Sequence, residues 1–534
     1  MKLAKLIGAC AVASLALTAC GTGGIDAAAF DWPEEGQPGG GGNVTIVSNT
    51  ELSSLEPGEA GTAGQAFPVL KNVVQSLLTR NTETNEVEPL LATEWESVDP
   101  LHWTFTLRND VTWHDGTPFD AENAARALTY VWDKSIPYAG NFVGDPVAFS
   151  AIDQYTLGIE LTTPDPLVPA KMTMMPLASP TQIQNAPQTL STTLIGTGPY
   201  KFVSYEPRAK LELELNPDYF DLHPGMFDTV SWIFRAENQV RAQLVQAGEA
   251  DIAMDVTGEQ CQASVSATAR CIENTRNGFR FLRPDFYNQT VLSDPRIRQA
   301  VAHAVDRSGI TSAFIASSGV PVDNPGPEGM VGYSEDVATY EYDVDKAKQL
   351  VADAKADGIN TDLPLTIKYR TGFFPNIDDI AQSVATNLNA AGLNAKVEAL
   401  PDAEGLAQYR QNFEANSIEN IAPDRGWIFL ATTSNDLYDF SQLGDTLLSC
   451  DGKFSVYCNP DFQAKYDAAS AQQGEARQDE FASLWDAQYA ADAPIVPIAA
   501  PTDSWVVSNR VSVEFRSDLF IPLTEARGAQ AGPS

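Results

Sequence analysis

The sequence predicts an exported α/β protein, and three observations lead there. Strand-like and helix-like patterns interleave along most of the chain, an apolar leader ends on a cysteine, and the composition is that of a folded, strongly acidic protein. Hydrophobic residues make up 43% of the chain, which suits a packed core and not a disordered segment. With 534 residues there is room for about three domain-sized units. Acidic residues number 70 against 34 basic ones, a net charge of −36 at pH 7. Such a surface repels nucleic acid and anionic headgroups, so no nucleic-acid partner is expected.

The chain opens with Lys2 and Lys5 and an apolar run from Leu6 to Ala19. That run falls short of the roughly 20 residues that span a bilayer, but it has the length of a secretory h-region. Leu17-Thr18-Ala19-Cys20 resembles a lipobox, so residues 1–19 read as a signal peptide and Cys20 as the lipidated first residue. Cys10 falls within the discarded run. Residues 20–42 are rich in Gly, Pro and acid and read as a flexible tether spanning about 25 Å. No long apolar run follows Cys20, so the body lies at the membrane without crossing it, held by acyl chains at its extracytoplasmic face, periplasmic or cell-surface.

Ordered structure begins at Val44–Val47, a β-rich run. Alternation predicts strands over Trp103–Leu107, Leu211–Leu215 and Leu365–Tyr369. Three helices carry both a cap and a stripe. Asp120 precedes Ala124, Leu128 and Val131. Asp294 and Pro295 precede Ile297, Ala300, Val301, Ala304 and Val305. Asp343 precedes Ala347, Leu350, Val351 and Ala354. The stretch "NGFRFLRPDF" reads as a strand able to carry the chain from one lobe into another.

Four cysteines follow the tether: Cys261, Cys271, Cys450 and Cys458. Three pairings are open to them. The two local ones, Cys261 with Cys271 and Cys450 with Cys458, are favoured because each closes a short polar loop, at about 2.5–3 kcal/mol per bridge in the chain-entropy model. Zinc is disfavoured, since neither pair has CxxC spacing and no histidine lies nearby.

Catalytic patterns are missing. The chain has no GxxxxGK[ST] phosphate loop and no GxSxG elbow. None of its four histidines, His102, His114, His223 and His303, makes an HxxxH pair. His114 sits in a turn made by Asp115-Gly116, and His303 on a helix flank. No metal, cofactor or enzymatic activity is expected.

Several segments together resemble one family. "HDGTPFDAENAARAL", "GTGPYKFVSYEPRAKLELELNPDYF", "LSDPRIRQAVAHAVDRSGI", "YDVDKAKQLVADA" and "APIVPI" are similar to successive stretches of the extracellular solute-binding proteins of family 5, the dipeptide-, oligopeptide- and nickel-type receptors of ABC importers. The resemblance runs from about residue 44 to 520. It implies a two-lobed, periplasmic-binding-protein-like α/β fold of the large peptide-binding type, with an extra subdomain in the first lobe. Lobe I would comprise residues 43–78, 188–278 and 500–534, its subdomain 79–187, and lobe II 279–499.

It also implies where a ligand would sit. "LSSLEPG" matches the family's opening loop, which brings in Ser53 and Ser54. Gln75 and Ser76 stand where the family shows an acid and a glycine. "RGWIFLATTSNDLYDF" corresponds to the Gly-Trp segment that lines the cleft, which brings in Arg425, Trp427, Asn435, Asp436 and Tyr438. In peptide receptors an aspartate a few residues after that tryptophan pairs with the ligand's α-ammonium. Here the first acid after Trp427 is Asp436, so either an insertion carries Asp436 into that role or the anchor is absent. Arg370 and Arg425 are candidate partners for a ligand carboxylate. The implied function is a monomeric, lipid-anchored receptor that captures peptides, oligopeptides foremost, for the transmembrane subunits of an ABC permease. Alternative guests are a metal-chelate, an opine or an oligosaccharide, and the reading from another class is a surface hydrolase.

Overall fold

The computed structural model describes residues 39–49, 54–57, 67–134, 146–207, 209–286, 291–315, 318–324, 326, 328–410, 427–518 and 520–528. The leader, Cys20 and most of the tether lie outside the described residues. Among these residues no helix is long and apolar enough to cross a membrane.

Strand β1 (Asn43–Ser48) is followed by a hairpin of β2 (Leu78–Arg80) and β3 (Val87–Pro89). Next comes a four-stranded antiparallel sheet of β4 (Ala92–Asp99), β5 (His102–Leu107), β6 (Pro146–Ala151) and β7 (Thr156–Leu161). After them, and before a short antiparallel pair of Val511–Ser512 with Arg527–Gly528, come β8 (Tyr200–Glu206), β9 (Lys210–Leu215), β10 (Thr229–Phe234), β11 (Ile252–Val256), β12 (Ala269–Thr275), β13 (Gly278–Pro284), β14 (Gly319–Pro321), β15 (Pro364–Arg370), β16 (Asn394–Leu400), β17 (Trp427–Ser434) and β18 (Val496–Ser508). With β1 they form one twelve-stranded sheet. Where one face is buried the side chains alternate, as in β9, with Leu211 and Leu213 buried and Glu214 exposed.

Strand β18 joins two halves of the molecule. Its first part pairs with β13 and β14, up to Pro501 opposite Gly319. Its second part, from Thr502, pairs with β12, and from Ser504 also with β11. The other crossover is the two-residue step Arg276-Asn277 between β12 and β13. At its end Gly278 lies so close to β17 that a Cβ would stand 2.3 Å from the Thr433 carbonyl oxygen, which explains the glycine.

The helices start where the sequence places their caps. The Asp120 carboxylate accepts from Asn123 N at 2.9 Å and opens α1 (Ala121–Lys134). Asp294 caps α2 (Pro295–Ala304), with Pro295 in the first turn and Val305 as C-cap. Asp343 caps α3 (Val344–Ala356), accepting from Lys346 N at 2.8 Å. Each such cap contributes about 1 kcal/mol. The expected stripes face inward, apart from Leu350, which is half-buried against the core.

Three main apolar clusters follow this division. One, around Ile46, Tyr200, Trp232 and Trp505, packs the first half of the large sheet. A second, around Phe105, Trp113 and Leu128, packs α1 on the four-stranded sheet. The third draws its buried residues from Phe279 to Ala499. Disulfides join Cys261 to Cys271 and Cys450 to Cys458. The first ties a one-turn helix to β12, and the second closes the loop before the helix Pro460–Ser470.

Candidate functional site

A cavity of about 490 Å³ opens where the halves meet. The crossover residues Arg276, Asn277 and Gly278 form one wall, Val320, Val322, Asp323, Asn324, Gly326, Glu328 and Tyr333 another, and Asn85, Tyr438 and Ser517 close it. Both Asn85 (φ 59°) and Tyr438 (φ 53°) are left-handed without being glycine. For tyrosine that conformation costs about 1–2 kcal/mol, and contacts on every side hold it. Val331 N donates to Tyr438 O at 2.9 Å, Tyr438 N donates to Asn435 O at 3.1 Å, and the phenol bonds Ser517 Oγ.

Arg80, at the end of β2, crosses from one half to the other. Its Nη2 donates to Leu437 O at 2.8 Å, its Nη1 to Asn85 O at 2.7 Å, and the guanidinium lies 4.7 Å from the Tyr438 ring centroid. Burial pushes its pKa down to about 10. Arg516 braces it from behind, donating to Arg80 O at 2.8 Å and holding Asp518 through two nitrogens. Burial raises the Asp518 carboxyl, but Arg516 and Lys71 outweigh it and hold it below the usual range. Asp436 accepts from Ser434 Oγ at 3.0 Å, and burial, with Asp518 adding to it, pushes its carboxyl up.

A second cavity, of about 340 Å³, lies in the first half, lined by Lys71, Gln75, Ser76, Tyr219 and Arg516 among others. Pro199 of the GTGPY motif lines it, and the rest of the motif packs behind residues 72–75. A Cβ on Gly196 would stand 1.9 Å from Val73 O, and one on Gly198 2.5 Å from Asn72 O. Backbone therefore lies on backbone, with Gly198 N donating to Val73 O and Tyr200 N to Asn72 O, each at 3.0 Å. Gln75 is committed internally, donating to Tyr219 Oη at 2.9 Å and accepting from Thr197 Oγ1 at 3.2 Å.

The structure thus separates the residues singled out by the sequence. Tyr438 lines the interlobe cavity, and Gln75 and Ser76 line the second one. Asn435 is buried as the builder of the Asp436–Asp439 turn, accepting from Asp439 N at 3.2 Å and donating to Asp439 O at 3.0 Å. Trp427 lines neither cavity. It is 2% exposed at the start of a strand buried on both faces, edge-on to Phe429 with ring centroids 5.6 Å apart. Arg370 lines neither, being spent on Asp402 at 2.6 Å and stacked on Phe373. Ser54 Oγ accepts from Glu56 N at 3.1 Å within its own turn. Ser53 and Arg425 lie outside the described residues. Sequence reasoning missed Lys71, Arg80, Arg516 and Asp518. The only local signal was the glycine pair of GTGPY, which marks a close backbone approach to residues 72–74.

Two sheet halves joined by two crossovers, with a cavity where they meet, define a two-lobed, mixed α/β binding protein. Residues 86–435 match the family described as bacterial extracellular solute-binding proteins, family 5, middle region, and the chain belongs to that family. Its members are the non-enzymatic, extracytoplasmic substrate-binding components of ABC transporters. Among curated relatives, the probable D,D-dipeptide-binding periplasmic protein DdpA of Escherichia coli K12 is 26% identical, over 67% of this chain and 70% of that one. The dipeptide-binding protein of the same strain is 25% identical, over 73% and 76%. Among solved structures, HbpA2 from Haemophilus parasuis superposes with a TM-score of 0.79 at 20% identity, covering 91% of this chain and 99% of its own. DppA from Helicobacter pylori in complex with the peptide STSA superposes with a TM-score of 0.71 at 20% identity, covering 91% and 98%.

Proposed function

We propose that this chain is a lipid-anchored peptide receptor, which captures oligopeptides foremost in the cavity of about 490 Å³ and delivers them to the transmembrane subunits of an ABC permease. The observation that carries the reading is that cavity's position. It is walled from both halves at the crossovers, so a guest touching both walls shifts the balance between open and closed forms. Its volume lies within the range of about 300–1,000 Å³ usual for small-ligand sites. In this reading residues 43–78, 188–278 and 500–534 form lobe I, residues 79–187 its subdomain and residues 279–499 lobe II, while Cys20 carries the lipid. Asp436, beside the cavity residues Asn277 and Tyr438, anchors the ligand's ammonium. Peptide-binding relatives support this choice of guest. Among the described residues no group of three or more His, Cys, Asp and Glu could hold a metal ion.

Native mass spectrometry of the purified protein, before and after mild denaturation, tests the proposal. Released masses spaced by amino-acid residues support it. A single non-peptide mass would replace the guest, and turnover of a peptide panel would replace the function.

A further inference from the structure

The second cavity has a floor made of donors. Ser76 is 2% exposed and its Oγ has no hydrogen-bond partner. Tyr219, 6% exposed, already accepts from Gln75 Nε2, so its own O–H is left to donate, and no acceptor for it occurs among the described residues. Lys71, 8% exposed, adds an ammonium. The Ser76 and Tyr219 hydroxyls are thus buried donors without acceptors, which is costly, and an acceptor-only group relieves both together. The carboxylates of this cavity, Asp221 and Glu525, are by contrast exposed, at its solvent side.

We propose that this cavity is a second ligand site, which takes the carboxylate of a small amino-acid-like solute on the Ser76 and Tyr219 hydroxyls and the Lys71 ammonium. The acids at its opening then meet the solute's ammonium and repel a second anionic group. The site is separate from the interlobe cavity. Arg516 lines this one and the adjacent Ser517 lines the other, so the two stand back to back, and the inference does not rest on the peptide reading.

Protonation gives the site a signature. Lys71 faces Arg80, Arg516, Asp436 and Asp518. Burial above all holds its pKa down to about 7, with the two arginines acting the same way and the two aspartates opposing them. Of the other charged groups lining the cavity, Arg527 Nη1 lies 2.7 Å from His223 Nδ1 and donates to Pro224 O at 2.7 Å. A carboxylate arriving beside Lys71 favours its charged form, so binding above pH 7 draws a proton from solvent.

Calorimetry with L-alanine and L-alaninamide, in buffers of different ionisation enthalpy, tests this. L-alanine is expected to bind with a millimolar or tighter Kd and the amide not at all. Proton uptake approaches one per site at pH 8 and is small at pH 6. Ser76→Ala weakens binding roughly tenfold and keeps the uptake, as loss of one hydrogen bond predicts, whereas Lys71→Met abolishes the uptake. Both variants are checked for a single cooperative thermal transition, and the small Ser76→Ala change keeps the test open should Lys71→Met misfold. Silence from L-alanine at tens of millimolar, equal binding of the amide, or undiminished binding to Ser76→Ala would each overturn the proposal.

Discussion

Asp436 and Lys71 stand away from their ordinary ionisation in opposite directions and for one reason, burial. A buried carboxyl raised in this way gains most from a cation that restores its charge. Asp436→Asn is therefore expected to weaken peptide binding by about 2 kcal/mol or more, roughly 30-fold in Kd. Titration calorimetry of wild type and variant checks it, and equal affinities would remove Asp436 from the site. Lys71 makes a claim about stability. Its folded value of about 7 lies below the ordinary 10.5, so between those values the unfolded chain binds more protons. The penalty is full below pH 7 and is relieved as pH rises toward 10.5. Wild type should thus gain on Lys71→Met by a few kcal/mol between pH 6.5 and 10, read from paired urea transitions. At this scale the sequence was least informative. Lys71, Arg80 and Arg516 come from opposite ends of the chain, and nothing near any of them announces a partner more than 400 residues away. Tyr438 in a left-handed turn has no glycine to mark it.

Elements were easier to read where their signals were local. Caps at Asp120, Asp294 and Asp343, followed by stripes of period 3.6, need only a few consecutive residues, and α1, α2 and α3 start there. Trp427 shows the limit. The family resemblance places it at the cleft wall, yet "WIFLA" is unbroken in its hydrophobicity, the mark of a strand covered on both faces, and Trp427 to Ala431 are all buried. The long strand β18 carried no sequence sign that its two parts pair in different halves, because strand partners are set by tertiary contacts. The GTGPY loop makes a sharp prediction. A methyl at Gly198 meets Asn72 O at 2.5 Å and must displace the segment that carries Gln75 and Ser76. Gly198→Ala should destabilise the fold by about 1–3 kcal/mol and lower the melting temperature in calorimetry, whereas an unchanged transition would contradict the close packing.

Across the whole molecule the two crossovers, Arg276-Asn277 and Pro501-Thr502, are the covalent links at the junction of the halves, and Arg80 adds a non-covalent one. The Arg80 bond to Leu437 O is charge-assisted and buried, a class that contributes about 1.5–3 kcal/mol. An opening of the halves would break it. Arg80→Ala is therefore expected to shift the ligand-free protein toward a more open form and weaken peptide binding roughly tenfold or more, seen as a larger radius of gyration and a faster off-rate. An unchanged radius would assign Arg80 to local packing alone. The peptide-receptor reading depends on the halves closing over a guest. Small-angle scattering of the purified protein, titrated with the peptides it releases on denaturation, tests that most directly. The account predicts a radius of gyration that contracts with saturation toward the arrangement in which Arg80 reaches Leu437. A profile that stays the same while calorimetry reports saturated binding would contradict it.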